Sequence, residues 1–454
     1  MPMLPTLRVS PDGHFFQTET GQPFFLLADT AWLLFNKLEE ADVRRLFENR
    51  ASKGFTVILS VVFRDLFTPN TPNAYGVTPF ASEADMYAVR LNPAWLENVR
   101  RVVELAQSYG LFMGLLPTWG DKWNEHSNSA GPVIMDAPKA HAYGRHLSDS
   151  LGDLPNILWV LGGDSPIQNQ DYARTVEAMA AGIRAGRSGE RLMTFHPNDT
   201  SVSDIFHAAP WLDFNAMQSG HARPNIADYR YIEHLYRHAP PKPCLNLEAN
   251  YECSPMFLML QEKDHPAEEP VFGAYDVRKC LYRSVLAGAA GFGYGCEPIR
   301  QIHRKGDRIH VHGRHHMPVW SDVLDAPGSA QLKHLTDRLL ERAYFTRMPA
   351  QELWLPLQKF RSVGRDFTQP ENCDPAAHVR VARCREGSYI LAYVPVRQPL
   401  CLDTRVLKSD AFEVSLYDPE SGERTSHYTY ANTGTFTVVP HRDLDTFIAL
   451  DAKA

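Results

Sequence analysis

The chain has 454 residues, with 46 Lys+Arg against 53 Asp+Glu and a formal net charge of −7 at neutral pH. That acidic balance excludes a protein held to nucleic acid by phosphate neutralisation. With 44% hydrophobic and 22% charged residues the composition excludes a disordered chain, and no run approaches the ~18 apolar residues of a membrane span.

Neither nucleic acid nor a membrane is therefore expected as a partner. The N-terminal stretch Met1 to Arg8 lacks a basic region, an apolar segment and a small-residue cleavage site, which sets the expectation of a cytoplasmic protein. The seven cysteines are odd in number, scattered and free of any CxxC spacing. Reduced thiols are expected, and no zinc site.

After a hairpin-like start at Leu7 to His14, short β-rich runs alternate with helical stretches. Run one is Phe24 to Asp29, followed by a helix over Glu39 to Lys53 with Val43, Leu46, Phe47 and Arg50 on recurring turns. Run two, Thr56 to Phe63, is nearly all apolar, as a strand buried on both faces should be. Its helix spans Pro93 to Tyr109, with Pro in the first turn and Gly110 just past the end.

Run three is Leu111 to Trp119, with a helix near Pro138 to Leu151. Run four is Asn156 to Asp164, with a helix near Asp171 to Ala185. Runs five to seven are Met193 to Pro197, Phe214 to Gly220 and Pro243 to Tyr251. Run eight, Gly291 to Ile299, follows a helix over Ala274 to Gly288, and a last helix near Ser329 to Tyr344 closes the series.

Eight β–α units in series predict a (β/α)8 TIM barrel over residues 1–346, with the hairpin at its start. A doubly wound open sheet is the runner-up, but no Gly-x-Gly-x-x-Gly turn follows run one. From Arg347 the texture changes to short alternating runs: Val379 to Cys384, Ser388 to Val394, Phe412 to Tyr417, Thr433 to Val439 and Phe447 to Leu450. Turn clusters punctuate them, so residues 347–454 read as a small antiparallel β-sandwich. A structural cap on the barrel is its plain role; carbohydrate binding is the sharper one.

In such a barrel the active site gathers at the C-terminal ends of the strands. The residues ending the runs are Asp29 with Trp32, then Phe63-Arg64-Asp65, Thr118-Trp119-Gly120-Asp121, Gly162-Gly163-Asp164 and His196-Pro197. Gln218-Ser219-Gly220-His221, Glu248 with Asn250 and Tyr251, and Tyr294 to Glu297 complete the set. Carboxylates, aromatics, amides and histidines are present, without a phosphate-cradling loop, a Gly-x-Ser-x-Gly elbow or a His-Glu-x-x-His helix.

Two acids among aromatic platforms suit glycosidic bond cleavage, in which one acid protonates the leaving oxygen and the other stabilises or attacks the oxocarbenium-like centre. Strands four and seven face each other across a barrel mouth, so Asp164 and Glu248 form the candidate catalytic pair. Asp121, Glu252 and Glu297 are the acids best placed to replace one of them. Trp32, Trp119 and Tyr251 could stack on a sugar, and His196 could bind its hydroxyls. The loop His303 to His316 carries five histidines and four Arg/Lys. It is plainly a solvated charged loop, with a uronide carboxylate as its sharper ligand.

At these residues the chain resembles the apiosidase-like glycoside hydrolases, of the family 140 type. The likeness runs through Ala28 to Trp32, Lys53-Gly54-Phe55, Leu115 to Gly120, Asn156 to Asp164, His196-Pro197, Gln218 to His221, and Glu248 with Tyr251-Glu252. The C-terminal part resembles the β-domain that follows in those proteins and carries a collagen-binding label, through Tyr344 to Pro349, Val381 to Arg383 and Tyr417 to Gly422.

The resemblance implies a (β/α)8 barrel that releases terminal apiose, a branched pentose, from pectic side chains or plant glycosides. It implies Asp164 as general acid/base and Glu248 as nucleophile of a retaining mechanism, without metal or organic cofactor. Asp29, Trp32, Trp119, His196, Gln218, His221, Tyr251 and Tyr294 are the candidate substrate-binding residues. Two segments depart from the family pattern: Phe63-Arg64-Asp65, where a Glu is usual, and Cys296 to Arg300, where a His-rich segment leading to a Trp is usual. The alternatives are an exo-glycosidase for another pentose or a uronide, a non-catalytic carbohydrate-binding protein, or a collagen-interacting one.

Overall fold

A computed structural model describes residues 4–64, 69–127, 131–221, 223–256, 270–308, 317–355 and 374–453. Eight parallel strands form the barrel wall: β1 (Leu26–Thr30), β2 (Val57–Val61), β3 (Phe112–Leu116), β4 (Ile157–Gly162), β5 (Met193–His196), β6 (Asn215–Gln218), β7 (Cys244–Glu248) and β8 (Gly291–Tyr294). All are buried along their whole length, which is why they read as continuous apolar runs.

The ladder runs β5-β4-β3-β2-β1-β8-β7-β6. The seam between β5 and β6 is closed by the Thr194 hydroxyl donating to Phe214 O at 2.7 Å and by the Asp213 N–H donating to Met193 O at 2.9 Å. The expected (β/α)8 barrel is present.

The outer layer contains α1 (Glu40–Ser52), α2 (Pro93–Ser108), α3 (Ala137–Leu151), α4 (Gln170–Ala185), α5 (Asp228–Tyr236), α6 (Ala274–Leu286) and α7 (Pro327–Leu340). Asn92, Asp136 and Asn169 cap three of them by accepting backbone N–H groups of the first turn. The alternation differs from the expected series in two places. Helix α5 follows β6 and was not anticipated. After β5 there is no α-helix; a two-residue strand, Ser201–Val202, folds back antiparallel on β6 and leads into the 3-10 turn Asp204–Phe206.

The C-terminal strands form a six-stranded antiparallel sheet faced by a two-stranded ribbon, Leu400–Asp403 with Thr435–Val438. Val414, Ile448 and Leu450 of the large sheet pack with Leu400, Leu402 and Phe436 of the ribbon in one core. Tyr393 and Phe447, on the opposite face, join the barrel's own core beside Tyr282 of α6. The inner strands of the sheet are therefore buried on both faces, one within the sandwich and one against the barrel helices. The contact is fixed by Arg278 of α6, which pairs with Asp445 through Nε at 2.8 Å and a second nitrogen at 2.9 Å. Among the described residues no helix is long and apolar enough to cross a membrane.

Candidate active site

Strand β4 ends in a backbone turn that few sequences can make. Gly162, Gly163 and Asp164 take φ values of 96°, 100° and 51° in succession. A Cβ on Gly162 would sit 2.3 Å from His196 O, and one on Gly163 3.0 Å from Gly120 N. Only glycine fits at both positions. Asp164 is thereby lifted out of the strand direction into a half-buried position.

Its Oδ1 accepts the Asp199 N–H at 3.2 Å. With the Gln218 amide turned so that its nitrogen faces acceptors, that nitrogen donates to Asp164 Oδ1 at 3.2 Å and to Pro197 O at 2.8 Å.

Glu248 ends β7 and is 3% exposed. His196 Nε2 lies 3.0 Å from Glu248 Oε2, and His221 Nδ1 lies 3.7 Å from Oε1. His196 Nδ1 is 2.9 Å from Pro197 O. A carbonyl only accepts, so Nδ1 carries a proton; a neutral ring would then aim the Nε2 lone pair at a carboxylate. Protonation of Nε2 removes that repulsion. Burial pulls the His196 pKa down, but the bond to Glu248 and the charges of Glu248 and Asp164 outweigh it and raise it.

The same contact decides the carboxylate. Burial pushes Glu248 up, yet the close ion-pair contact and charge of His196, with His221 and Arg300 behind it, hold it down at about 2. Asp164 goes the other way. Burial first, and the negative charge of Glu248 second, push it up to about 7. The two acids are thus driven to opposite protonation states, the arrangement that separates a general acid from an anionic carboxylate.

The other candidate acids are committed elsewhere. Asp121 accepts the Gly131 N–H at 3.0 Å and pairs with Lys122 at 3.3 Å. Glu252 accepts the Tyr294 hydroxyl at 2.7 Å and the Gly328 N–H at 3.0 Å. Glu297 binds Arg300 and Gln301.

Two expected substrate contacts are corrected by the structure. Asp29 is fully buried, with Oδ2 2.6 Å from Arg50 Nε of α1 and Oδ1 accepting its neighbour Thr30's N–H at 2.9 Å. Tyr294, its register partner on β8, shares that outward direction. Its ring lies 5.8 Å from the Arg50 guanidinium and its hydroxyl binds Glu252 against α7. Both point into the helical shell rather than into the barrel mouth, because adjacent residues paired in register lie on the same face of a sheet.

The remaining candidates gather around the acids. Trp32 lies 5.2 Å from Trp119 and 5.6 Å from His196, centroid to centroid. His221 stacks on Tyr251 at 4.6 Å with the rings 17° apart. Trp119 has one face covered by the Arg64 guanidinium, 3.6 Å above the ring, so it serves at least in part as a platform for a cation.

Sequence reasoning met Arg64 at a strand end and both Arg64 and Arg300 in segments that depart from a pattern, gave neither a role, and passed over Asp199. Arg64 is 4% exposed, its Nε has no hydrogen-bond partner, and among the described residues no carboxylate pairs with it. Burial and the neighbouring Arg300 lower its pKa to about 10, against the opposing charges of Asp121, Asp164 and Glu248. Asp65 and residues 309–316 of the His/Arg-rich loop lie outside the described residues.

Comparison with known proteins agrees with this fold. The family described as "Apiosidase-like, catalytic domain" matches residues 10–346. The one described as "Putative collagen-binding domain of a collagenase" matches residues 368–448. A solved glycoside hydrolase superposes with a TM-score of 0.84 at 26% identity, covering 100% of this chain and 99% of that one. A glycoside hydrolase family 5 protein from Bacteroides vulgatus superposes with a TM-score of 0.84 at 25% identity, covering 99% of this chain and 93% of that one. Comparison with curated protein sequences finds no match.

Proposed function

The chain belongs to the apiosidase-like glycoside hydrolases, and from that premise we propose that it is exo-acting and releases terminal apiose from pectic oligosaccharides or plant glycosides. The observation that carries the mechanism is geometric: Glu248 ends β7 with Oε2 3.0 Å from His196 Nε2, and Asp164 ends β4 held by the Asp199 N–H and the Gln218 amide. That arrangement favours an anionic Glu248 beside an acid whose pKa burial and that charge raise. Asp164, held protonated, gives its proton to the leaving oxygen as the C–O bond breaks. Glu248, held anionic by His196, attacks the anomeric carbon and forms a glycosyl ester. Asp164, now a carboxylate, takes a proton from water, which displaces Glu248 and frees the sugar. Gln218 and the Asp199 N–H fix the acid; His196 and His221 fix the nucleophile.

The test is sugar release from apiosides, arabinosides, xylosides and glucuronides, read by chromatography and mass, with the first-formed anomer read by NMR. Apiose alone, with its anomeric configuration kept, is the expected result. Release of a different sugar overturns the apiose assignment and keeps the two-carboxylate chemistry; an inverted product overturns Glu248 as nucleophile. Folded protein that binds the glycosides without turnover supports a carbohydrate-binding protein instead.

One observation favours a second reading. A buried guanidinium, Arg64, that no carboxylate pairs with among the described residues suits a substrate carboxylate. On that reading the sugar is a uronide, and the Arg64→Gln variant loses glucuronide release while sparing neutral glycosides.

A further inference from the structure

We propose that Asp204, His234 and His238 form a binding site for a first-row divalent transition metal at the end of the barrel opposite the candidate catalytic pair. Asp204 opens the 3-10 turn that follows Ser201–Val202. The next residue back, Ser203, bonds Asn215 and Ala216 at the start of β6, which places the turn at the N-terminal end of that strand. His234 lies in the last turn of α5, and His238 follows just beyond its C-cap, Arg237. The His238 N–H donates to Leu235 O at 3.2 Å, so the chain keeps turning as it leaves the helix. The four-residue spacing therefore brings both imidazoles to one side, with ring centroids 4.6 Å apart.

One donor atom from each of the three residues lies within 4.8 Å of the other two. Asp204 Oδ2 is 2.8 Å from His234 Nε2 and 3.6 Å from His238 Nε2. Ligands at ~2.0–2.1 Å from a tetrahedral ion stand about 3.3 Å apart, and the two separations straddle that value. A plain ion pair accounts for the first contact only. Among the described residues His238 Nε2, a buried atom, has no hydrogen-bond partner, and at 3.6 Å Asp204 Oδ2 is too distant to bond it directly. An ion between the three groups satisfies it.

The surroundings suit an ion held on two nitrogens and one oxygen. His207 packs 4.9 Å from His238, but both its nitrogens are engaged, with Pro240 O at 3.0 Å and Asn215 Nδ2 at 3.0 Å. It walls the site without ligating. The His234 side chain is 52% exposed, which leaves water to complete the coordination. Two imidazoles and a carboxylate favour zinc, nickel or copper over magnesium or calcium. The role is structural: the ion ties the segment between β5 and β6, which lacks an α-helix, to the end of α5.

The test uses the full chain stripped with EDTA and titrated with zinc chloride by calorimetry, with melting followed in parallel. One equivalent of zinc should bind, and at a hundred times Kd the melting temperature should rise by about 3 °C. Cobalt should give the visible absorption of a tetrahedral ion. His234→Gln at an exposed position and Asp204→Asn at a half-buried one keep polar groups of similar size, so the metal-free variants should melt close to the parent and lose the zinc, the rise and the cobalt spectrum. Zinc bound with unchanged stoichiometry and affinity in both variants overturns the site, as does the absence of any zinc-dependent rise in the parent at millimolar zinc. Removing the metal should leave glycoside turnover unchanged, since the site lies away from Asp164 and Glu248.

Discussion

His196 Nε2 lies 3.0 Å from Glu248 Oε2 inside the barrel, with His196 closed off from solvent and the carboxyl 4% exposed. A buried carboxylate is costly unless paired, and this contact supplies the charge that keeps Glu248 ionised. His196 acts through Glu248 and so is a positioning residue. Replacing it with Gln should cost about 10–100-fold in kcat/KM. It should also raise the acid limb of the pH profile toward the measurable range, because burial is then opposed only by the weaker charges of His221 and Arg300. A profile of unchanged shape would count against this role.

Glu248→Gln removes the attacking oxygen while keeping volume and hydrogen bonding. Turnover should fall by about 10⁴-fold or more, with melting and sugar affinity close to the parent's. Comparable activity in this variant would remove Glu248 from the mechanism.

Asp164 gives two pH signatures. Its proton is needed for catalysis and leaves near pH 7, so kcat/KM should fall about tenfold per unit above that point. Its folded pKa is raised above the ordinary 3.8, so its contribution to stability is present in full below pH 3.8 and is lost as pH rises through about 7. Asp164→Asn abolishes that dependence. The variant's melting advantage over the parent should therefore be larger at pH 8 than at pH 4, read by calorimetry across the range.

Asp29→Ala separates a structural acid from a substrate ligand. The change leaves Arg50 buried without its partner, at a cost of about 3–5 kcal/mol in unfolding free energy. Protein that stays folded should keep the parent's KM, because Asp29 faces α1 and not the mouth. A raised KM with unchanged stability would restore Asp29 to the binding site.

Gly162→Ala tests the turn under Asp164. The added methyl would lie 2.3 Å from His196 O, at a φ of 96° that a side chain disfavours. A loss of about 3 kcal/mol is expected, with a fall in turnover of about 10²-fold or more as Asp164 moves.

Much of this was legible in the residues. Strands buried on both faces must be apolar throughout, so Val57–Val61 and Ile157–Gly162 declare themselves. Once eight such runs close a barrel, whatever ends them converges, and Asp164 and Glu248 could be paired without coordinates. The two glycines before Asp164 announced the turn, since nothing else tolerates its backbone.

Other elements carried no such mark. The edge strand Arg424–Ala431 is exposed on most of its positions, so no apolar alternation betrays it; it exists because Ala411–Tyr417 offers it a ladder. Helix α5 is short, and the segment after β5 folds by pairing back onto β6. Both depend on neighbours that lie far away in sequence.

By itself, then, the sequence determined the barrel and the polar residues that end its strands, Asp164 and Glu248 among them, because burial and backbone geometry restrict which residues can occupy those places. It could not determine direction or partnership. Asp29 ends its strand as Glu248 ends its own, yet one side chain meets Arg50 in the helical shell and the other meets His196 inside the barrel. A strand-end residue can face either side of the wall, and the choice rests on register. Only tertiary structure brought His196 to Glu248, stacked Arg64 on Trp119 with its Nε left unpaired, and set Asp204 against two histidines of another element. In each case the deciding quantity is a distance of a few ångströms between residues separated along the chain, and Coulomb and hydrogen-bond energies depend on distance, direction and burial, which separation along the chain does not fix.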